Sequence, residues 1–223
     1  MNRFLLISVV ISLLVSCSNT PDLETGEIKT LALVKQAFQQ SNKPKRFIDA
    51  RLLLNRKQID KAKVPVLFVE LPSGQNGTLT PYPGRGVGQT WLAADGATIT
   101  MDRGVLKASR GMGNDLMGSA SSMPSWFLIN KKTETYRREL GYINGDNKIF
   151  AEVFSCDIEK INSGEFIKIW GIIFKVAQFE EQCLNSSLKF TNTYHVDTQG
   201  IVRRSSQYHS DTLGSVTMER LDR

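Results

Sequence analysis

The apolar positions of this chain change period along its length. Phe4 to Val15 form an apolar run of 12, broken only by Ser8 and Ser12. That is shorter than the roughly 20 residues a membrane-spanning helix needs. In residues 26–40, Ile28, Leu31, Val34, Ala37 and Phe38 fall on one helical stripe. This spacing predicts a short amphipathic helix over Gly26–Gln40, with Pro44 beyond its end. RFIDARLLL fits either a strand or a short helix with a turn. From VPVLFVEL onward the period is two. TLTPYP reads as a short, proline-broken strand suited to a sheet edge. GQTWLAAD, ATITMD and GVLKAS read as three strands joined at Asp95-Gly96 and Arg103-Gly104. KTETYRRELGYI then turns at Asn144-Gly145-Asp146 into KIFAEVFSCDI, where Ile149, Ala151, Val153 and Ser155 share a face. EFIKIWGIIFKVAQFEEQC, SSLKFTNTYHVD, GIVRRSSQYHS and GSVTMERL follow, with a turn at Asp197–Gly200. The prediction is a mainly β, antiparallel single domain, closed as a barrel or folded as a sandwich, behind one short N-terminal helix.

The first apolar run changes meaning once its flanks are read. Arg3 precedes it and Leu14-Val15-Ser16-Cys17 ends it, which is the pattern of a secretory signal closing on a lipobox. Residues 1–16 are expected to be the signal, Cys17 the acylated first residue of the mature chain, 17–23 a lipidated tether and 24–223 the β domain. Ser18 stands where an inner-membrane retention signal would place aspartate, so the expected location is the outer membrane, facing the periplasm. Acyl chains contribute about 0.8 kcal/mol per buried CH₂, so several on one cysteine make a stable anchor. With Cys17 so used, Cys156 and Cys183 remain, 27 positions apart, and an exported chain with two cysteines is expected to join them.

The formal charge of +6 suits attraction to an acidic surface, a lipid headgroup or an acidic polysaccharide. The basic residues are scattered, with pairs at Lys131-Lys132, Arg137-Arg138 and Arg203-Arg204 and no long run, so nucleic acid is not an expected partner. GxSxG, P-loop and HExxH motifs do not occur, and His195 and His209 are the two histidines. Hence no catalytic residue, metal site or cofactor is assigned. Glu180 and Glu181 are strand neighbours and point to opposite faces, so they cannot share a substrate. Trp91 and Trp126 are the candidate aromatic contacts for sugar rings, weighed against a place in the core. KASRGMGNDLMG (107–118) is the candidate loop. Arg110, Gly111, Gly113, Asn114 and Asp115 form either a glycine corner in which Arg110 and Asp115 pair across the turn, or a rim loop that meets glycan or a secretion partner.

GQTWLAADGATITMDRGVLKASRGMGNDLMGS resembles the signature region of the YjbF/GfcB family of outer-membrane lipoproteins. Trp91, Asp95-Gly96, Gly104 and Ser109-Arg110-Gly111-Met112-Gly113-Asn114-Asp115-Leu116 carry the likeness. A late block adds Phe190, Asn192, Tyr194, Val196, Asp197, Gly200 and Ser206-Gln207, with His195 where family members often carry tryptophan. The resemblance spans about residues 28 to 221. It implies a periplasm-facing lipoprotein of a capsule or exopolysaccharide secretion operon, a mainly antiparallel β fold and no enzymatic activity. The expected function is that of an accessory factor binding glycan or an export-machine subunit. The alternative is an enzyme, a hydrolase or lyase, that modifies the polymer; it would need ionisable groups converging in a cleft.

Overall fold

The computed structural model describes residues 49–83, 88–126, 133–143 and 145–223. Cys17, the tether and the expected helix over Gly26–Gln40 lie outside these residues. RFIDARLLL resolves to a helical turn, α1 (Ala50–Leu53), because the Asp49 carboxylate accepts from the Arg51 N–H and caps it. A second short helix, α2 (Arg56–Lys61), starts at a reciprocal capping box between Asn55 and Gln58.

Twelve strands follow: β1 (Leu67–Glu70), β2 (Asn76–Tyr82), β3 (Gln89–Ala93), β4 (Thr98–Asp102), β5 (Val105–Arg110), β6 (Gly118–Ser121), β7 (Tyr136–Ile143), β8 (Ile149–Ile169), β9 (Ile172–Leu184), β10 (Lys189–Asp197), β11 (Val202–Ser210) and β12 (Gly214–Arg220). They form one sheet in the order β5-β4-β3-β2-β1-β12-β11-β10-β9-β8-β7-β6, and each paired neighbour is antiparallel. The sheet curls until its edges meet. The Ser109 N–H donates to the Leu116 carbonyl at 2.9 Å, and the Trp126 indole donates to the Arg103 carbonyl at 3.0 Å. The barrel is therefore nearly closed, with a seam between β5 and β6, and the choice between barrel and sandwich falls to the barrel.

Alternation decides what lies inside. Tyr136, Arg138, Leu140 and Tyr142 of β7 point inward, as do Phe154, Cys156 and Ile158 of β8 and Phe190, Asn192, Tyr194 and Val196 of β10. Ile149, Ala151, Val153 and Ser155 do share a face, and it is the exposed outer one. Cys156 and Cys183 face each other in register on β8 and β9 and are disulfide-bonded inside the wall. TLTPYP is not an edge strand: β2 lies between β1 and β3. Its proline is tolerated because the β1 pairing stops at Leu67–Leu79, so Pro81 has only β3 beside it, opposite Trp91.

β8 and β9 extend past the barrel as a two-stranded arm. Asn162-Ser163-Gly164 are residue types common in turns, but β8 runs through them with register shifts at Lys160/Asn162 and Ser163/Glu165. The reversal comes at Trp170-Gly171, both at positive φ. The arm's inner face (Ile167, Ile169, Val176, with Phe174) joins Phe68, Leu221, Ala50 and Ile59 in a second apolar cluster. Trp170 packs on Phe68 of β1 with ring centroids 5.6 Å apart, and this contact holds the indole residue in its left-handed backbone conformation.

Candidate functional site

The seam is where the candidate loop sits, and its chemistry follows from an edge-strand problem. β5 and β6 are sheet edges, so their outward backbone groups lack ladder partners. Side chains supply them. Gln207, reaching across the interior from β11, accepts from the Leu106 N–H and donates to the Gly104 carbonyl, both at 2.8 Å. Arg110 donates to the carbonyls of Ser109, Leu116 and Met117. The Asp115 carboxylate accepts from the N–H groups of Gly111 (2.8 Å) and Met112 (2.9 Å). The expected ion pair is thus replaced. Arg110 caps carbonyls and Asp115 caps amides, because an open turn leaves both kinds of group unpaired. Asn114 is exposed at the tip.

Gly111 and Gly113 take φ of 79° and 105°, the left-handed region that glycine enters without steric cost. A Cβ on Gly111 would also lie 3.3 Å from the Ala97 Cα. Gly111→Val is therefore expected to lower unfolding free energy by about 1–3 kcal/mol. Arg110→Ala, at an exposed position, is expected to cost about 1 kcal/mol or less. Thermal melting of the two variants checks the order; equal losses would contradict the capping assignment.

Beneath the loop lies a pair that composition alone does not reveal. His209 Nε2 is 2.8 Å from Ser109 Oγ, with both residues buried. The pair has the spacing of a nucleophile and its base, but not the bonding. Ser109 Oγ accepts from the Leu116 N–H and donates to Asp115 Oδ1. With the hydroxyl proton on the Asp115 side, its remaining lone pair takes a His209 Nε2–H, the tautomer in which His209 Nδ1 accepts from the Ser210 hydroxyl. An imidazole donating Nε2–H cannot take the serine proton. Burial also pushes the His209 pKa down, against a weaker upward pull from Asp115, so the ring stays neutral. The arrangement is a seam clasp. His195, on the outward face of β10, plays no part in it.

Deeper in the barrel, Glu181 is wholly buried and accepts four bonds: from the Tyr136 hydroxyl (2.7 Å), Arg138 Nη1, Asn192 Nδ2 and the Tyr194 hydroxyl (each 2.8 Å). Burial, then the Glu181 charge, drives both phenol pKa values up, so both stay protonated donors. Burial is the largest single influence on Arg138 and opposes its charge, but Glu181 together with Tyr194 and Tyr136 outweighs it and holds the guanidinium pKa above its ordinary value. Glu181 Oε and the sulfurs of Cys156 and Cys183 lie within 4.8 Å of one another. They do not suit a metal, since the sulfurs are bonded to each other and the carboxylate is saturated with donors. Inward parity is the signal that would have found this network: Glu181 continues the Phe179–Cys183 series and Asn192 the Phe190–Tyr194 series.

Trp91 and Trp126 are core residues, which corrects their candidacy as sugar contacts. Trp91 is 3% exposed and Trp126 5%, and Trp126 packs on Phe179 and Tyr194. What the loop does offer to solvent is a cleft of about 180 Å³ at one barrel mouth, where Gly111 and Met112 meet Asn76, Leu79 and Asp95.

Residues 31–221 match the family model described as group 4 capsule polysaccharide lipoprotein gfcB, YjbF. The chain belongs to this family. The family's description names a lipoprotein of capsule polysaccharide and no catalytic activity. The fold is similar to the crystal structure of the hypothetical lipoprotein YmcC from Escherichia coli (K12), with a TM-score of 0.65, 19% identity, and coverage of 93% of this chain and 98% of that one. Comparison with curated protein sequences gives no match. The Ser109–Leu116 block and the Phe190–Gln207 block, which carry the resemblance to this family in the sequence, contribute to the seam and the interior polar network, and Trp91 lies in the apolar core.

Proposed function

We propose that the protein is a non-enzymatic accessory factor in capsule or exopolysaccharide secretion, held at the periplasmic face of the outer membrane by acyl chains on Cys17. The single observation that carries this is the family match over residues 31–221, joined to the lipobox ending at Cys17. The β domain acts from residue 24 onward as the working part, behind the cleaved signal and the tether over 17–23. Its partner is a glycan segment or an export-machine protein, met at the mouth cleft lined by Gly111, Met112 and Asp95, with the exposed Asn114 in the same loop. The cleft's volume suits one sugar unit or one side chain rather than a polymer strand.

The Ser109–His209 contact is the one observation that favours an enzyme. It supports that reading weakly, because every bonding position of the hydroxyl is occupied within the seam. The localisation is tested by Cys17→Ser. This variant is expected to lose lipid labelling, leave the outer-membrane fraction and reduce secreted polysaccharide. Normal outer-membrane fractionation and normal secretion would overturn the proposal.

A further inference from the structure

The arm has one face buried and one face bare. Phe166 and Lys168 of β8 and Ile173 and Lys175 of β9 alternate with the buried Ile167, Ile169 and Val176. Phe166 stands opposite Lys175, and Lys168 opposite Ile173. Apolar and cationic side chains therefore form a checkerboard. Phe166 is 68% exposed and Ile173 65%. Glu165, the arm's one acidic residue between Ile161 and Val176, falls on the other face, where Asn162 bonds it. Rotated backbone cannot bury these residues, since the inner face is fixed by Phe68, Leu221 and the Arg204–Lys168 carbonyl bond of 3.1 Å.

We infer that this face is a membrane-docking surface, and that its partner is a bilayer surface carrying anionic phospholipid. Two apolar side chains seat at the headgroup boundary while two ammonium groups meet phosphates, the combination that distinguishes interfacial binders. Charge complementarity favours this occupant over a second copy of the chain, whose matching face carries the same two positive charges. Ala50 belongs to the same apolar cluster as the arm's inner face. A lipid anchor on Cys17 does not by itself orient the β domain at a bilayer. A second, weak contact orients it, and tethering supplies an effective concentration in the millimolar range that makes weak binding sufficient.

The orientation part of this inference rests on the Cys17 anchor, and the experiment separates the two. The full chain carrying Phe166→Trp is mixed with vesicles of phosphatidylglycerol and phosphatidylcholine, or of phosphatidylcholine alone, at millimolar lipid, with and without brominated acyl chains. Flotation of the chain with the vesicles reports the anchor. Quenching of the added indole, above that of the wild-type chain, reports the arm and at this lipid concentration does not require the anchor. The expected result is quenching in the anionic vesicles that weakens in phosphatidylcholine and at high salt. Adding Lys168→Gln and Lys175→Gln is expected to reduce the docking equilibrium about 30-fold, at roughly 1 kcal/mol per lysine. An unquenched indole in anionic vesicles overturns the inference whether or not the chain floats. So does a blue-shifted but unquenched indole in a cross-linked dimer, which would assign the face to a second copy.

Discussion

Glu181→Gln is expected to destabilise the domain by about 3–5 kcal/mol, the range for breaking a buried ion pair from one side. The variant keeps the shape of the side chain and removes its charge. Arg138 is then left inside the barrel with no anionic partner, at a side-chain exposure of 4%. Its Nε and Nη2 already lack hydrogen-bond partners, so among the described residues Glu181 is the counter-ion that chiefly offsets its desolvation. The amide of Gln would also turn a donor toward one of three other donors, the Tyr136 and Tyr194 hydroxyls and Asn192 Nδ2. Removing the other partner should cost less. In Arg138→Met the carboxylate retains those three neutral donors, and the long apolar side chain fills the guanidinium's space. We expect Arg138→Met to remain at least about 1 kcal/mol more stable than Glu181→Gln: each variant leaves one buried charge without its counter-ion, but the carboxylate keeps three hydrogen bonds, whereas two of the guanidinium nitrogens have none. Urea unfolding followed by tryptophan fluorescence measures both, with the slope of the transition held constant as the check that both remain two-state. If Arg138→Met proves the weaker variant, the network is organised by the guanidinium and not by the carboxylate.

The elements most legible in the sequence were those whose punctuation agreed with their period. β3, β4 and β5 were read at the right places because Asp95-Gly96 and Arg103-Gly104 turn where the alternation breaks. The β8–β9 arm was not legible, for the opposite reason. Asn162-Ser163-Gly164 carries turn chemistry, yet β9 supplies a partner strand on both sides of it, and pairing turns it into bulges. The true reversal uses Trp170, a residue whose intrinsic preference is against positive φ, and only the packing on Phe68 explains it. RFIDARLLL was open between strand and helix because its decisive feature, the Asp49 cap, is a single side chain. For the site, sequence located the Ser109–Leu116 loop but not what lies under it. His209 is 100 positions from Ser109, and Gln207 is 101 from Leu106. Such contacts are set by barrel closure, which alternation within a strand does not specify. The Arg110–Asp115 pairing failed because opposite charges at short spacing in a turn have nearer partners in the unpaired backbone.

The second large effect is expected from the disulfide. Replacing Cys156 and Cys183 together by alanine should lower stability by about 3–4 kcal/mol on the chain-entropy model, for a closed loop of 27 positions. Two features of this protein make the loss more than an average one. The bridge lies inside the barrel wall with both cysteines at most 1% exposed, so its removal also leaves a void beside Glu181. The segment it closes contains the whole arm, where β8 shifts register twice against β9. A strand pair with bulges has neighbouring registers of similar energy, and a covalent link at Cys156–Cys183 fixes which one is formed from the barrel end. The double variant should therefore show two losses: a lower unfolding midpoint, and faster amide exchange from about residue 160 to residue 176 than in β10 or β11 under conditions where the barrel remains folded. The native disulfide should meanwhile resist reductant without denaturant, because a thiolate has no path to sulfurs buried in the wall. Mass spectrometry after alkylation, with and without urea, checks that arm of the argument. If the double variant melts lower but exchanges evenly along the chain, the bridge contributes stability to the barrel as a whole and the arm's register is held by Trp170 on Phe68 alone.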